Sequence, residues 1–373
     1  MQKKIVINAL PYKSNSSGIG VLIRDLFGPL AAMTGRKCQV VLSQDAPEFP
    51  CGGDAERVTV PCDHKQGLRR VWFQNVRMGR RYGKDSVLLT TDSKLPFFLP
   101  KSCLPALLVT DLAVYRMPEV YKTSRVLLWK LQYRYARKRT ALWLAISEFT
   151  RREMADVFGI PAEGIHVVHC ACGEQMARVQ EGPELAAVRE KYGLDKPFVL
   201  FVGNTNPRKN LNRLMQAFDL AKEEGIAHQL IIAGEQGWKF DRAEALKGLK
   251  HGEDIRFIGF VPDEDMCALY SAAALFAFPT LYEGFGIPVL EAQSCGVPVL
   301  TSRCSSLPEV GGDAAVYADP YDVGSIRDGM LKLLSDTDYA DALVQKGYKN
   351  VKRFSWQKSA VLLNEIIERE VQA

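Results

Sequence analysis

Between Phe278 and Thr301 the chain reads FPTLYEGFGIPVLEAQSCGVPVLT. Ala274 to Phe278 is a short apolar run suited to a buried strand, and Pro288 sits where a first helical turn accepts a residue without an amide proton. Pro279 to Ile287 is therefore the break between strand and helix. Gly296 suits the end of that helix, and the β-branched run Val297 to Thr301 reads as the next buried strand. Strand, loop, short helix and strand in that order form the repeating unit of a parallel α/β sheet.

Such sheets bind ligands beyond the carboxyl ends of their strands, where helix N-termini offer free amide protons and partial positive charge. Gly284, Phe285 and Gly286 fall at that end, and the glycines let backbone amides approach a diphosphate without side chains between. Glu283 and Glu291, with seven residues between them, would repel phosphates. Hydroxyls on either side of a diphosphate are better partners for them, which is the layout of a nucleotide sugar. The spacing alone would equally suit two solvated glutamates beside a helix N-terminus.

Glu283-GFGIPVL-Glu291, followed by Pro298-Val299-Leu300, resembles the E-x7-E pattern of the retaining glycosyltransferases of family 4. That resemblance implies the GT-B fold: two Rossmann-like domains with parallel sheets facing a cleft, and a C-terminal helix crossing back to the first. It also implies that Glu283 faces the donor sugar, Glu291 binds the ribose, and Phe285, Gly286 and Ile287 hold the sugar or phosphate through the backbone.

At 373 residues, 47% hydrophobic and 24% charged, the chain is too long for one ordinary core and suits two α/β domains. A net charge of +5 argues against a dedicated nucleic-acid binder but leaves room for a local basic face. The nine cysteines contain no C-x-x-C pair and read as reduced cytosolic thiols. The opening MQKKIVINAL is too short for a signal peptide's apolar region, and no segment approaches the roughly 18 apolar residues of a membrane span. A cytoplasmic location follows as an expectation.

Lys4 to Leu10 reads as the first strand. After a Ser/Asn-rich loop, Gly18-Ile19-Gly20 opens a helix with apolar Val21, Leu22, Leu26 and Leu30. As a dinucleotide fingerprint this loop fails, because the third glycine would fall at Ile23. By the resemblance, Gly18 and Gly20 face the diphosphate from the first domain.

His64 to Lys84, with Lys65, and Val120 to Thr140 are two basic helical segments interleaved with apolar residues, among them Trp72, Leu127, Leu128 and Leu131. Each fits a surface helix with a solvated face, and each also fits an anionic membrane surface, which would place the protein at the inner face of the membrane. Between them, Pro105 to Thr110 is a strand ending in Thr110-Asp111, where the family commonly has His-Asp. Asp111 is carried over as a cleft residue or a strand-end cap, and Thr110 retains a hydroxyl in place of the imidazole. Further strands are expected at Ala141 to Ile146, with Ser147 capping the next helix, and around His166 and His169, whose opposed faces make them poor joint ligands. The boundary is expected near residue 180: domains at 1–180 and 181–353, and a last helix from Phe354 crossing back.

The second half restarts at Pro197 to Val202 and continues Gly203-Asn204-Thr205-Asn206-Pro207-Arg208-Lys209-Asn210. Two cations beside a glycine at a strand's carboxyl end suit a diphosphate, Arg as a fork and Lys as a point charge. The family's Arg/Lys donor site matches Lys209, with Arg208 as a substitute for an arginine that usually lies closer to the glycine. Strands at His228 to Gly234 and Ile255 to Val261 follow. Phe260 and Val261 stand where the family places the base, and an apolar pair there also suits a core. Together these features imply a retaining, metal-independent hexosyltransferase with no cofactor beyond its sugar-nucleotide substrate. GDP-mannose is the leading donor and a UDP-hexose the next, with a glycan or lipid-linked glycan as acceptor. A catalytically impaired sugar-nucleotide binder, an epimerase or a phosphorylase would share the same features.

Overall fold

The computed structural model describes residues 3–13, 18–62, 67–92, 95–237 and 240–372, so the expectations for 14–17 and 63–66, including Lys65, lie outside it. The chain divides into two units: the residues up to Cys170 together with those from Ser355 on, and Ala171–Phe354.

The first unit is built on β1 (Lys4–Asn8), β2 (Cys38–Ser43), β3 (Glu56–Val60), β4 (Ser86–Thr91), β5 (Leu104–Val109), β6 (Leu142–Ala145) and β7 (Ile165–Val167). They pair in the order β3-β2-β1-β4-β5-β6-β7, all parallel. Every residue of β4 and β6 is buried, as expected where helices cover both faces of a parallel sheet. Ser147 caps the helix Glu148–Phe158 by accepting from Thr150 N at 2.9 Å.

The second unit repeats the plan with β8 (Phe198–Val202), β9 (Gln229–Ala233), β10 (Ile255–Gly259), β11 (Leu275–Phe278), β12 (Val299–Ser302) and β13 (Val316–Ala318). Their order is β10-β9-β8-β11-β12-β13, again all parallel. Both sheets therefore have the doubly wound order of Rossmann-like domains. Chain direction reverses between β1 and β4 in one and between β8 and β11 in the other. Loops leaving such strands diverge to opposite faces, which opens a crevice at their carboxyl ends.

Residues 171–180 go with the second unit rather than the first, ten positions before the expected boundary. The reason is local bonding: Ser294 Oγ donates to Met176 O at 2.7 Å, and Val179 N donates to Ser271 Oγ at 2.9 Å. The last helix, Trp356–Gln372, counts with the first unit and buries Trp356, Ala360, Leu363, Ile366 and Ile367 along one stripe. Its Ser359 hydroxyl donates to His169 O at 2.7 Å, and Glu368 takes both Nε and Nη2 of buried Arg36. Among the described residues, no helix is long and apolar enough to cross a membrane.

Glu368→Ala strands the Arg36 guanidinium in the fold and should cost about 1–3 kcal/mol in denaturant unfolding at pH 7. Arg36 holds the Glu368 carboxyl below its ordinary value through their hydrogen bond. The pair's contribution is thus present above about pH 4.3 and fades as acid protonates the folded carboxylate, so the difference between variant and parent should shrink at low pH.

Candidate active site in the second unit

The crevice between β8 and β11 collects the chemistry of the second unit. From β8 the chain turns at Gly203 and runs to the short 3-10 turn Pro207–Lys209. Asn206 caps that turn, its Oδ1 accepting from Arg208 N at 3.1 Å. The turn ends at Asn210, a non-glycine residue in the left-handed region with φ 61°. Buried Asn210 extends Nδ2 to Pro279 O at 2.9 Å and to Pro320 O at 2.7 Å. One side chain thereby joins the Arg208-Lys209 turn to the loop after β11 and the turn after β13. The approach from β9 is equally tight: a Cβ on Gly234, at φ 140°, would lie 2.2 Å from Gly203 O.

Glu283 comes from the loop after β11 and is only 7% exposed. Lys209 Nζ donates to its Oε1 at 3.0 Å, and Arg208 Nη1 lies 3.4 Å from its Oε2 and 2.9 Å from Tyr282 O. Leu281 N donates to Arg208 O at 2.9 Å, so main chain as well as charge links the two loops. Burial, the largest influence, pushes the Glu283 carboxyl up, but the charges of Arg208 and Lys209 outweigh it and hold the group below its ordinary value. Glu283 is therefore an ionised hydrogen-bond acceptor near neutral pH. The Lys209 ammonium also lies 4.6 Å from the Phe278 ring centroid. Two cations against one carboxylate leave a net positive centre.

From behind, the segment after β12 braces the glutamate loop. Glu283 N donates to Ser305 Oγ at 3.1 Å, and Ser306 Oγ lies 2.9 Å from Glu283 O and 2.7 Å from Phe285 O. Phe285 is buried edge-on against Phe354, which leaves its backbone rather than its ring for a ligand. Gly286 precedes the helix Ile287–Ser294 at φ 109°, and a Cβ there would meet Leu307 Cδ2 at 2.7 Å. Glu291 lies in that helix, bonded to Tyr270 Oη at 2.8 Å. Its carboxyl is pushed up to about 7, chiefly by burial, with Tyr270 opposing and Asp263 and Cys267 adding to the rise. The two glutamates are thus set apart by environment, one ionised and one titrating near neutrality.

The remaining expected residues fall elsewhere. Phe260 and Val261, read as a pair, are split: Val261 is core, whereas Phe260 follows β10 with 51% exposure. In the first unit, Gly18 and Gly20 open the helix Gly18–Leu22. Thr110 and Asp111 follow β5, and Asp111 Oδ1 accepts from Ala113 N at 3.0 Å, a turn-capping bond. The Thr110 hydroxyl donates to Asp92 Oδ1 at 2.6 Å, and Thr110 N donates to the same oxygen at 2.9 Å. Asp92, left-handed at φ 51°, stands directly after β4 at the reversal of the first sheet. Nothing in its local sequence marks it, nor Asn210, Ser305, Ser306 or Tyr270, because their roles come from partners distant in the chain. The chain also holds two Asp-x-Asp runs, at 263–265 and 336–338; in the first Asp265 bonds Lys191 and Tyr192, and in the second Asp336 caps a helix through Tyr339 N.

Residues 186–350 match the family Glycosyl transferases group 1. The chain is 38% identical over 252 residues to O-antigen chain mannosyltransferase B of Escherichia coli, covering 66% of this chain and 65% of that protein. It is 34% identical over 235 residues to the serotype-specific mannosyltransferase WbdA of Escherichia coli, covering 61% of this chain and 29% of that protein. The chain thus spans just under two thirds of the first relative and less than a third of the second. Sucrose-phosphate synthase from Thermosynechococcus elongatus superposes with a TM-score of 0.76 at 16% identity over 98% of both chains, a likeness of fold. The architecture is accordingly GT-B.

Asn210→Gly keeps the left-handed backbone but removes both carbonyl anchors, and should cost about 1–3 kcal/mol by thermal or denaturant unfolding. Asn210→Asp, which sets a carboxylate against two carbonyl oxygens, should cost more. The raised Glu291 carboxyl carries a different signature. The folded protein keeps this proton longer than the unfolded chain, so stability should fall as pH rises from about 4.5 towards 7. Glu291→Gln should flatten that slope, as read from unfolding free energy against pH.

Proposed function

We propose that this chain, whose residues 186–350 form a glycosyl transferases group 1 domain, is a hexosyltransferase that moves mannose from GDP-mannose to a hydroxyl of a glycan or lipid-linked glycan in the assembly of a bacterial polysaccharide such as an O-antigen. The observation that carries the reading is the buried Glu283 carboxylate held by Lys209 and Arg208 at the reversal of the second sheet. The diphosphate of the donor binds on Lys209, Arg208 and the amides at Phe285 to Ile287, and Glu283 accepts hydroxyls of the sugar. Glu291 binds the ribose. As the glycosyl bond breaks, negative charge grows on the departing diphosphate, and fixed cations in a partly desolvated site stabilise it without reorganising. Lys209 and Arg208 fill the role that a metal ion would otherwise take, and the sugar is transferred with retained configuration. Mannose rather than glucose is favoured by the mannosyltransferase relatives and by the wording Asn206-Pro207-Arg208-Lys209-Asn210.

One observation favours a second reading, a sugar-nucleotide binder of low activity. Thr110 stands in place of the family's histidine, with its hydroxyl donated to Asp92. Such a protein would bind donor but neither hydrolyse nor transfer it.

A panel of GDP, UDP, ADP, dTDP and NAD at matched concentration tests the donor class through thermal stabilisation of the folded state. GDP is expected to raise Tm most, and a shift with NAD alone would overturn the reading. With GDP-mannose and a mannose-containing acceptor, Glu283→Gln should lower turnover by about 100-fold or more with little change in GDP affinity. Lys209→Ala should lose both turnover and GDP binding. Small, equal effects of the two would contradict the assignment.

A further inference from the structure

The first unit carries a second surface that the proposed chemistry does not use. Its basic segments form helices: Gly67–Trp72, Phe73–Arg77 and Met78–Tyr82 run on from one another, the middle piece being a π turn, and Thr123–Arg139 is a single α-helix. They are bridged by Gln132 Nε2 donating to Asn75 Oδ1 at 3.1 Å, across 57 positions of sequence, both residues buried.

Both helices also follow the segment 97–99 in the same sense. Phe97 N donates to Asn75 O at 2.9 Å, and Tyr135 Oη bonds Phe97 O. One turn on, Gly79 lies against Phe98 and Leu99, and Arg139 Nη2 reaches Leu99 O at 3.3 Å. The helices are therefore parallel, and Val71, Trp72, Leu127, Leu128 and Leu131 all lie N-terminal to the Asn75–Gln132 bridge, at the same end of the pair. All five are exposed, Leu127 at 71% and Trp72 at 48%. Arg77 stacks on Trp72 at 4.7 Å and Arg125 lies over Trp129 at 5.5 Å.

Charge says what this surface fits. Residues 67–84 and 120–140 hold six and seven basic residues and no Asp or Glu, and Arg69, Arg70, Lys122, Arg125 and Lys130 among them lie on the same N-terminal side of the bridge as the exposed apolar residues. Without those thirteen, the 48 basic residues of the chain would be outnumbered by its 43 acidic ones. A second copy of the same face would be repelled. Nucleic acid would be attracted to the cations but would leave exposed leucines against water. Anionic lipid meets both needs, with cations at the headgroups and Leu127, Leu128, Leu131 and Trp72 in the acyl boundary.

We propose that the N-terminal ends of these two helices form one composite docking face for an anionic lipid bilayer. Lipid binding is read without turnover, so the result stands apart from the assigned transferase activity. The full chain should float with vesicles of phosphatidylcholine containing about one third phosphatidylglycerol at low salt and not with phosphatidylcholine alone. Binding should fall steeply when salt shortens the Debye length. Leu127→Ser with Leu131→Ser should weaken binding at least ten-fold, and Arg125→Gln about five-fold. These positions are exposed, so Tm should be kept. Should a variant lose Tm, the single change Lys122→Gln, at an exposed position of the same face, gives an independent reading of charge. Equal flotation with neutral vesicles, no loss on removing the leucines, or tight binding to duplex DNA with none to vesicles would each overturn the proposal.

Discussion

A carboxylate taken out of water must be paired, because an isolated buried charge costs several kcal/mol. Glu283 is such a group, and its partners Arg208 and Lys209 lie more than seventy residues earlier, on a loop from a different strand. The two loops can meet only if β8 and β11 are neighbours with their carboxyl ends on one edge, which is what the parallel order of the second sheet provides. Around that contact the supporting bonds are mostly neutral: Asn210 to two carbonyls, Ser305 and Ser306 to the main chain at Glu283 and Phe285. They hold backbone rather than charge, and so leave the cations directed at the crevice.

The first unit uses the same strand order for a different edge. Its reversal between β1 and β4 carries Asn8, bonded to Thr90 at 3.0 Å, and Asp92, which takes two bonds from Thr110. The second unit's reversal, by contrast, brings two cations and a carboxylate together. The charge of the first unit is gathered instead on its two basic helices, away from that edge in sequence.

How much of this was legible beforehand depends on how local each signal is. The strand at 275–278, the helix opened by Pro288 and the positions of Glu283 and Lys209 follow from apolar runs, glycines and proline within a few residues. Phe260 and Val261 divide between surface and core, which an apolar dipeptide at a strand end does not announce, since it does not tell which side chain faces inward. The boundary placed at 180 misled because a charged composition marks exposure, whereas residues 171–180 are bound to the second unit by bonds to Ser294 and Ser271.

The sequence by itself determined the alternation of strands and helices, the two-unit plan and the residue types of the site, since periodicity, turn chemistry and loop glycines act over one or two turns of chain. Only the tertiary structure decided which groups meet: Glu283 with Arg208 and Lys209, Glu291 with Tyr270, Thr110 with Asp92, and one basic helix beside another. Those contacts depend on strand order and helix direction. They are set by how the whole chain buries its apolar faces, and no short stretch of residues carries that information.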